Sequence, residues 1–186
     1  MVKLNKIYTR TGDGGSAGLV DGSRVSKSGL RMTAIGEVDE ANASVGAAIA
    51  ALGDDPIAEQ LLKIQNELFD LGADLATPGE IEGALRIEPG QVARLEIDID
   101  DMNAELAPLT SFILPGGSAA AVALHLARTV VRRAERAVVA LHEAEPLNPH
   151  LLAYINRLSD HLFVAARVVA MKDGGDVLWQ PGATRT

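Results

Sequence analysis

The sequence predicts an all-α fold, a five-helix bundle, on three observations. Hydrophobic residues make up 47% of the chain but aromatic residues only 3%, so the core must be aliphatic and alanine-rich, which suits packed helices better than sheets. Five segments carry apolar residues at alternating three- and four-residue spacing, the period of one helix face. Glycine, proline and capping signals punctuate the chain between them. A chain of 186 residues and 19.5 kDa is long enough to bury a core without staples. A single domain, 1–186, is expected: an irregular glycine-rich stretch over 1–29, the bundle over 30–173 and a tail over 174–186.

The first helix is expected from about Leu30 to Leu52, with Ile35, Val38, Asn42, Val45, Ile49 and Leu52 as its seam. Gly36-Glu37-Val38-Asp39-Glu40 is an acidic patch near its start, where carboxylates suit the helix dipole. Asp54-Asp55-Pro56 opens a second helix with the stripe Ile57, Leu61, Ile64, Leu68, Leu71 and Leu75, and Thr77-Pro78-Gly79 ends it. Glu88-Pro89 begins a third, carrying Val92, Leu95, Ile99, Met102 and Leu106, although Ile97-Asp98-Ile99-Asp100 alternates like a strand. An apolar segment fenced by breakers follows, residues 107–117. Its Phe112 either plugs the end of the bundle or lines a ligand pocket. The fourth helix is expected from about Ser118 to Leu141. The fifth starts at Asn148-Pro149, uses Leu151, Ile155, Leu158, Leu162 and Val169, and stops at Lys172-Asp173-Gly174-Gly175. In the polar tail the single tryptophan, Trp179, reads either as a lone hydrophobic anchor on a loose terminus or as a lid over a ligand.

The formal charge of −8 and a pI near 5.0 argue against a nucleic-acid surface, since a phosphate polymer would meet a repulsive field. A local basic pocket for a small anion remains compatible. Without cysteine there is no disulfide frame, thiol nucleophile or thiolate metal site. The first six residues carry no apolar targeting core and no stretch is long enough to span a bilayer, so a cytoplasmic, membrane-free protein is expected. His125, His142, His150 and His161 lack metal-ligand spacing and read as surface or helix-end residues. No nucleophile–base pairing for hydrolysis stands out.

Two stretches carry chemistry. In the fourth helix, Arg128, Arg132, Glu135 and Arg136 share one face while Val130, Val131, Ala134, Ala137 and Val138 point the other way. Arg133 lies about a quarter-turn from Arg132, so adjacent guanidinium forks can address one anion, and the planar fork matches phosphate. Read alone, the cluster is more simply a solvated face with Arg–Glu pairs. The second stretch is Thr9-Arg10-Thr11-Gly12-Asp13-Gly14-Gly15-Ser16-Ala17-Gly18. Its glycines let successive N–H groups turn inward as an anion nest. It fits neither the P-loop pattern nor a dinucleotide fingerprint, and by composition alone it reads equally as a floppy terminus.

Taken in order, Tyr8-Thr9-Arg10-Thr11-Gly12-Asp13 with Gly15, then Lys27, Gly36-Glu37-Val38-Asp39-Glu40, Ser111-Phe112-Ile113-Leu114-Pro115-Gly116-Gly117, Arg132-Arg133-Ala134-Glu135-Arg136 and Asn156-Arg157-Leu158-Ser159-Asp160 resemble the PduO-type ATP:corrinoid adenosyltransferases. The resemblance runs from Lys6 to about Lys172. It implies a homotrimer of five-helix bundles with active sites between subunits. It also implies a reaction in which the cobalt of cob(I)alamin attacks the 5′ carbon of ATP, giving adenosylcobalamin and triphosphate. The chemistry would then belong to the corrinoid, the protein supplying binding and electrostatics.

Position by position, the resemblance implies that Thr9, Arg10, Thr11, Gly12, Asp13 and Gly15 form the ATP loop and that Lys27 faces the phosphates. Arg132, Arg133, Glu135, Arg136 and Asn156 would complete the nucleotide site, with Arg132 stabilising the departing triphosphate and Mg²⁺ bridging phosphate oxygens. It implies that Phe112 lies under the corrinoid and displaces its lower axial ligand, that Asp160 contacts the corrinoid, and that Asp39 and Arg128 pair between subunits. A corrinoid reductase and an adenosylcobalamin-dependent client enzyme are implied partners. Gly14, Ser16 and Ala17 depart from the family's commoner loop residues. A non-catalytic corrinoid carrier or nucleotide-binding bundle is the alternative reading.

Overall fold

A computed structural model describes residues 7–185. The start read for targeting, residues 1–6, and Thr186 lie outside the described residues. Five α-helices follow a short two-stranded ribbon: β1 Ser16–Gly18, β2 Arg24–Ser26, α1 Leu30–Leu52, α2 Ile57–Leu75, α3 Pro89–Ala104, α4 Ala119–Ala144 and α5 Pro149–Met171. The strands pair antiparallel, with Ala17 opposite Val25. The expected all-α class holds, with the ribbon as an addition inside the stretch read as irregular.

Apolar periodicity explains the packing. Every residue of the α2 stripe is buried, from Ile57 to Leu75. On α1 the seam turns further toward alanine than expected: Ala34, Ala41 and Ala48 are fully buried beside Val38 and Val45, whereas Ile35, Ile49 and Leu52 pack at the margin. Small side chains let α1 and α4 lie close, α4 contributing Ala127, Val131, Ala134 and Val138. Helix α5 packs against both α4 and α3, with Tyr154, Ile155, Leu158, Leu162 and Ala165 at zero exposure.

The segment that alternated like a strand is the middle of α3. A capping box starts this helix, the Gln91 side chain accepting from the Glu88 N–H at 2.9 Å, and such a nucleus outweighs a four-residue alternation. Asn148 caps α5 by accepting from the His150 N–H at 3.0 Å. Its amide also donates to Asp74 and to the Ile87 carbonyl, each at 2.8 Å. Asp74, only 2% exposed, further accepts from Arg86 at 2.6 Å and from the Ile87 N–H at 2.9 Å. This carboxylate joins α2, the loop before α3 and the start of α5.

Two histidines correct the surface reading. His125 and His161 are buried in α4 and α5, because both fall in phase with their helices' apolar stripes. Burial, then the Arg94 charge, lowers His161 to a pKa of about 4. Burial, then Arg128, lowers His125. The tail is also better held than a loose terminus. Arg167 pairs with Asp176 at 3.0 Å and donates to the Ala107 carbonyl at 2.8 Å. Beyond it, the tail pairs antiparallel with the Phe112 segment through Ile113 and Leu178.

Candidate active site

The glycine-rich stretch is an organised turn. Arg10 takes the left-handed conformation, φ 63°, and Gly15 follows at φ 80°, so the chain reverses twice within six residues. The Gly15 N–H donates to the Gly12 carbonyl at 3.1 Å, and the Lys27 N–H donates to the Gly15 carbonyl at 2.9 Å. The hydroxyls of Thr9 and Thr11 lie 2.9 Å apart. Lys27 crosses Gly12 so closely that a Cβ there would stand 3.0 Å from Nζ and push the ammonium aside. Asp13 stands exposed on it. The Val20 N–H donates to the Ala76 carbonyl at 3.0 Å, fixing the ribbon to the end of α2.

The arginine face of α4 divides its work. Val130, Val131, Ala134 and Val138 point inward, as their phase requires. Arg132 and Arg136 are exposed, and Arg136 donates to the Arg132 carbonyl at 2.9 Å. Arg133 turns instead to α1, where its Nε donates to Glu37 at 2.6 Å and its Nη2 pairs with Glu40. Those hydrogen bonds, Glu37 first, raise its pKa. The acidic patch is thus a clamp on α4 rather than a cap, since α1 begins two turns earlier. Glu135 accepts from the Asn156 amide at 2.7 Å, bringing together two predicted residues from α4 and α5.

The Phe112 segment forms a second region. Phe112 does not plug the bundle: it is 77% exposed. Its carbonyl accepts from the Trp179 N–H at 2.8 Å, the Leu114 N–H donates to the Val177 carbonyl at 2.8 Å, and the Ser111 hydroxyl donates to the Trp179 carbonyl at 2.8 Å. The Phe112 and Trp179 rings lie 6.0 Å apart, tilted by 58°. They border a cavity of about 590 Å³ that Leu109, Ile113, Phe163 and Arg128 also line. The Arg128 guanidinium lies 5.9 Å from the centre of the Phe163 ring, and its buried Nε has no hydrogen-bond partner. Burial, then the Arg132 charge, lowers its pKa. Asp160, one turn before Phe163 on α5, is exposed and accepts from Arg157 at 3.2 Å.

Among the described residues, no hydrogen bond or ion pair links the Thr9–Lys27 turn to Arg132, Glu135 or Asn156, and none joins Arg128 to Asp39. Phe163 and Arg24 are functional candidates the sequence reading passed over. Phe163 is one of three phenylalanines and falls at the edge of an apolar stripe, the one signal that could have marked it. No group of three or more His, Asp or Glu able to hold a metal occurs among the described residues. Nor is any described helix long and apolar enough to cross a membrane.

One helical bundle thus carries a glycine-rich turn, a guanidinium face and an aromatic-rimmed cavity. The sequence profile of one family, cobalamin adenosyltransferase, matches residues 7–169. The corrinoid adenosyltransferase of Mycobacterium bovis is 51% identical over all of this chain and 98% of its own length. The cobalamin adenosyltransferase of Cupriavidus metallidurans is 51% identical, covering 96% of each chain. A solved structure, a variant of the PduO-type ATP:corrinoid adenosyltransferase from Lactobacillus reuteri complexed with cobalamin and ATP, superposes with a TM-score of 0.88. It shares 39% identity over 94% of this chain and 99% of its own. The chain belongs to the cobalamin adenosyltransferase family.

Proposed function

We propose that this chain transfers the 5′-deoxyadenosyl group of ATP to the cobalt of cob(I)alamin, releasing triphosphate. The observation that carries the reading is the likeness, across 94% of the chain, to a relative complexed with both cobalamin and ATP. The cobalt–carbon bond forms as the C5′–O bond breaks. The pair from that bond leaves with triphosphate, and cobalt passes formally from I to III. The corrinoid substrate supplies the nucleophile, so the protein's task is positioning and charge.

The turn carrying Thr9, Arg10, Thr11, Gly12, Asp13 and Gly15, with Lys27 over it, holds the triphosphate through N–H groups, hydroxyls and one ammonium. Arg132, free of acidic partners among the described residues, stabilises charge gained by the leaving group, with Arg136 beside it. Glu37 and Glu40 fix Arg133 by one edge, leaving its Nη1 for the nucleotide. Asn156 addresses the nucleotide in an orientation set by Glu135. Mg²⁺ is carried mainly by the phosphates, as it ordinarily is where few carboxylates gather.

Phe112 meets the lower face of the corrinoid and, offering nothing to coordinate, keeps cobalt without its lower ligand; Asp160 contacts the corrinoid periphery. The chain acts as one domain, 1–186, in a cytoplasmic homotrimer in which Arg128 pairs with Asp39 of a neighbour. The absence, among the described residues, of any hydrogen bond or ion pair between the turn and the arginine face supports a site completed by a second copy. A corrinoid reductase that supplies cob(I)alamin and an adenosylcobalamin-dependent client that takes the product are the partners this reading proposes.

The test is turnover. Incubated with ATP, Mg²⁺ and chemically reduced cobalamin, the protein should yield adenosylcobalamin, seen in its absorption spectrum, and triphosphate in equal amount. Tight binding of both ligands without product would replace this reading with that of a corrinoid carrier.

A further inference from the structure

Arg24, on β2, makes more hydrogen bonds to the glycine-rich turn than any residue of the turn itself. Its Nη2 donates to the Thr11 carbonyl at 2.7 Å, to the Ser16 carbonyl at 2.9 Å and to the Ser16 hydroxyl at 2.9 Å. Its Nε donates to the same hydroxyl at 3.0 Å. The side chain lies across Gly18, where a Cβ would stand 3.9 Å from Nη1. The two ends of the turn, Thr11 and Ser16, are therefore gathered on one guanidinium.

Two electrostatic consequences follow. A loop that binds an anion through its N–H groups must keep its carbonyl oxygens away from the ligand. Arg24 draws two of them, Thr11 and Ser16, onto a cation. In addition, a hydroxyl has two acceptor lone pairs and one proton. Arg24 engages the Ser16 oxygen twice, so that hydroxyl is left with its proton to give. It is a donor matched to a phosphate oxygen and poorly matched to Mg²⁺.

We propose that Arg24 is a positioning residue for the nucleoside triphosphate: it shapes the turn and aims the Ser16 proton, without itself contacting the ligand. The inference rests on the reading of this turn as the ATP loop. A lysine cannot take over the whole role, because its one nitrogen could draw in the two carbonyls but has no second donor atom beside it to engage the Ser16 hydroxyl twice.

The test compares Arg24→Lys, Arg24→Ala and Lys27→Ala with the wild type under saturating cob(I)alamin and Mg²⁺. Both Arg24 variants should raise the KM for ATP about tenfold, the loss expected from one charge-assisted hydrogen bond. The corrinoid KM and the melting temperature without ATP should stay at wild-type values. Wild-type ATP KM in Arg24→Lys would overturn the inference in favour of a simple charge. A matching rise in corrinoid KM, or a lowered ATP-free melting temperature, would overturn it in favour of a general structural role. If Lys27→Ala alone raises the ATP KM, the loop reading stands and only the role of Arg24 falls; if none of the three variants changes it, the loop reading itself falls.

Discussion

The side-chain amide of Asn156 donates to Glu135 across 2.7 Å, tying the midpoint of α5 to the arginine face of α4. The bond fixes which end of the amide points outward, since Nδ2 is committed and Oδ1 is left to accept. Glu135→Ala and Asn156→Ala should each lower turnover several-fold with little change in melting temperature, because both groups lie near the surface. Combined, the two losses should fall short of additive by about 1 kcal/mol, as for contacting residues in one network. A double-mutant cycle on kcat/KM for ATP makes the measurement; strict additivity would mean the contact has no bearing on catalysis.

Arg132 and Arg128 share a face but should fail differently. Arg132→Ala removes an exposed cation and is expected to cut turnover by about a hundredfold, the scale of losing one electrostatic contact to a developing charge. Its assembly state should not change. Arg128→Ala should reduce turnover and also shift the protein to smaller species in analytical ultracentrifugation. Identical defects would refute the division of labour along α4.

Phe112→Ala is expected to impair the reaction mainly when cobalt must be reduced on the enzyme. Assays started from cob(II)alamin with a reductant should drop far more than assays started from cob(I)alamin. Because Phe112 is 77% exposed, its removal opens no core cavity, and the melting temperature should stay within about 2 °C. Equal loss in both assays would point to general damage of the pocket.

Asp74 should matter to stability rather than turnover. Asp74→Ala leaves the Ile87 N–H without its acceptor and takes one acceptor each from Arg86 and the Asn148 amide, which keep carbonyl partners, so a loss of about 2 kcal/mol is expected from denaturant unfolding. A change under 1 kcal/mol would show that water replaces the carboxylate easily.

His161 makes stability depend on acidity. Its folded pKa of about 4 lies below the ordinary 6.5 because of burial and then the Arg94 charge. The unfolded chain therefore binds its proton first as pH falls. The contribution is fully present above pH 6.5 and is lost between there and about pH 4, at most about 3 kcal/mol. Asp98 lies 3.8 Å from Nε2, too far to hydrogen-bond and offset the burial. His161→Leu should flatten unfolding free energy between pH 6.5 and 4; an unchanged slope would assign the acid sensitivity elsewhere.

What the sequence disclosed followed from distance along the chain. The α2 stripe was readable in full because periodicity is local, and Asn148 was readable as a cap because its partner lies two residues away. Arg133 was not readable as a partner of Glu37, 96 residues distant; nothing local tells an arginine aimed at a ligand from one clamped to a neighbouring helix. The Trp179 tail failed for the same reason, since a single antiparallel bridge to Ile113 leaves no periodic trace in four residues. His125 and His161 were misplaced by residue type, although their phase pointed inward. On the site, the joint order of six motifs carried the family, while Arg24 and Phe163 belonged to no such pattern.

The pairing of Ile113 with Leu178 also bears on how this protein should be handled. A purification tag or reporter fused beyond Arg185 would extend the tail whose Leu178 pairs with Ile113 beside the Phe112 cavity, and one fused ahead of Ile7 would extend the segment that leads into the turn under Lys27. Both fusions would therefore act on segments that the proposed function uses. The α1–α2 connection around Gly53, at φ 60°, is no freer for a label or a permuted terminus, because its Asp55 pairs at 2.6 Å with Lys172, at the root of that tail.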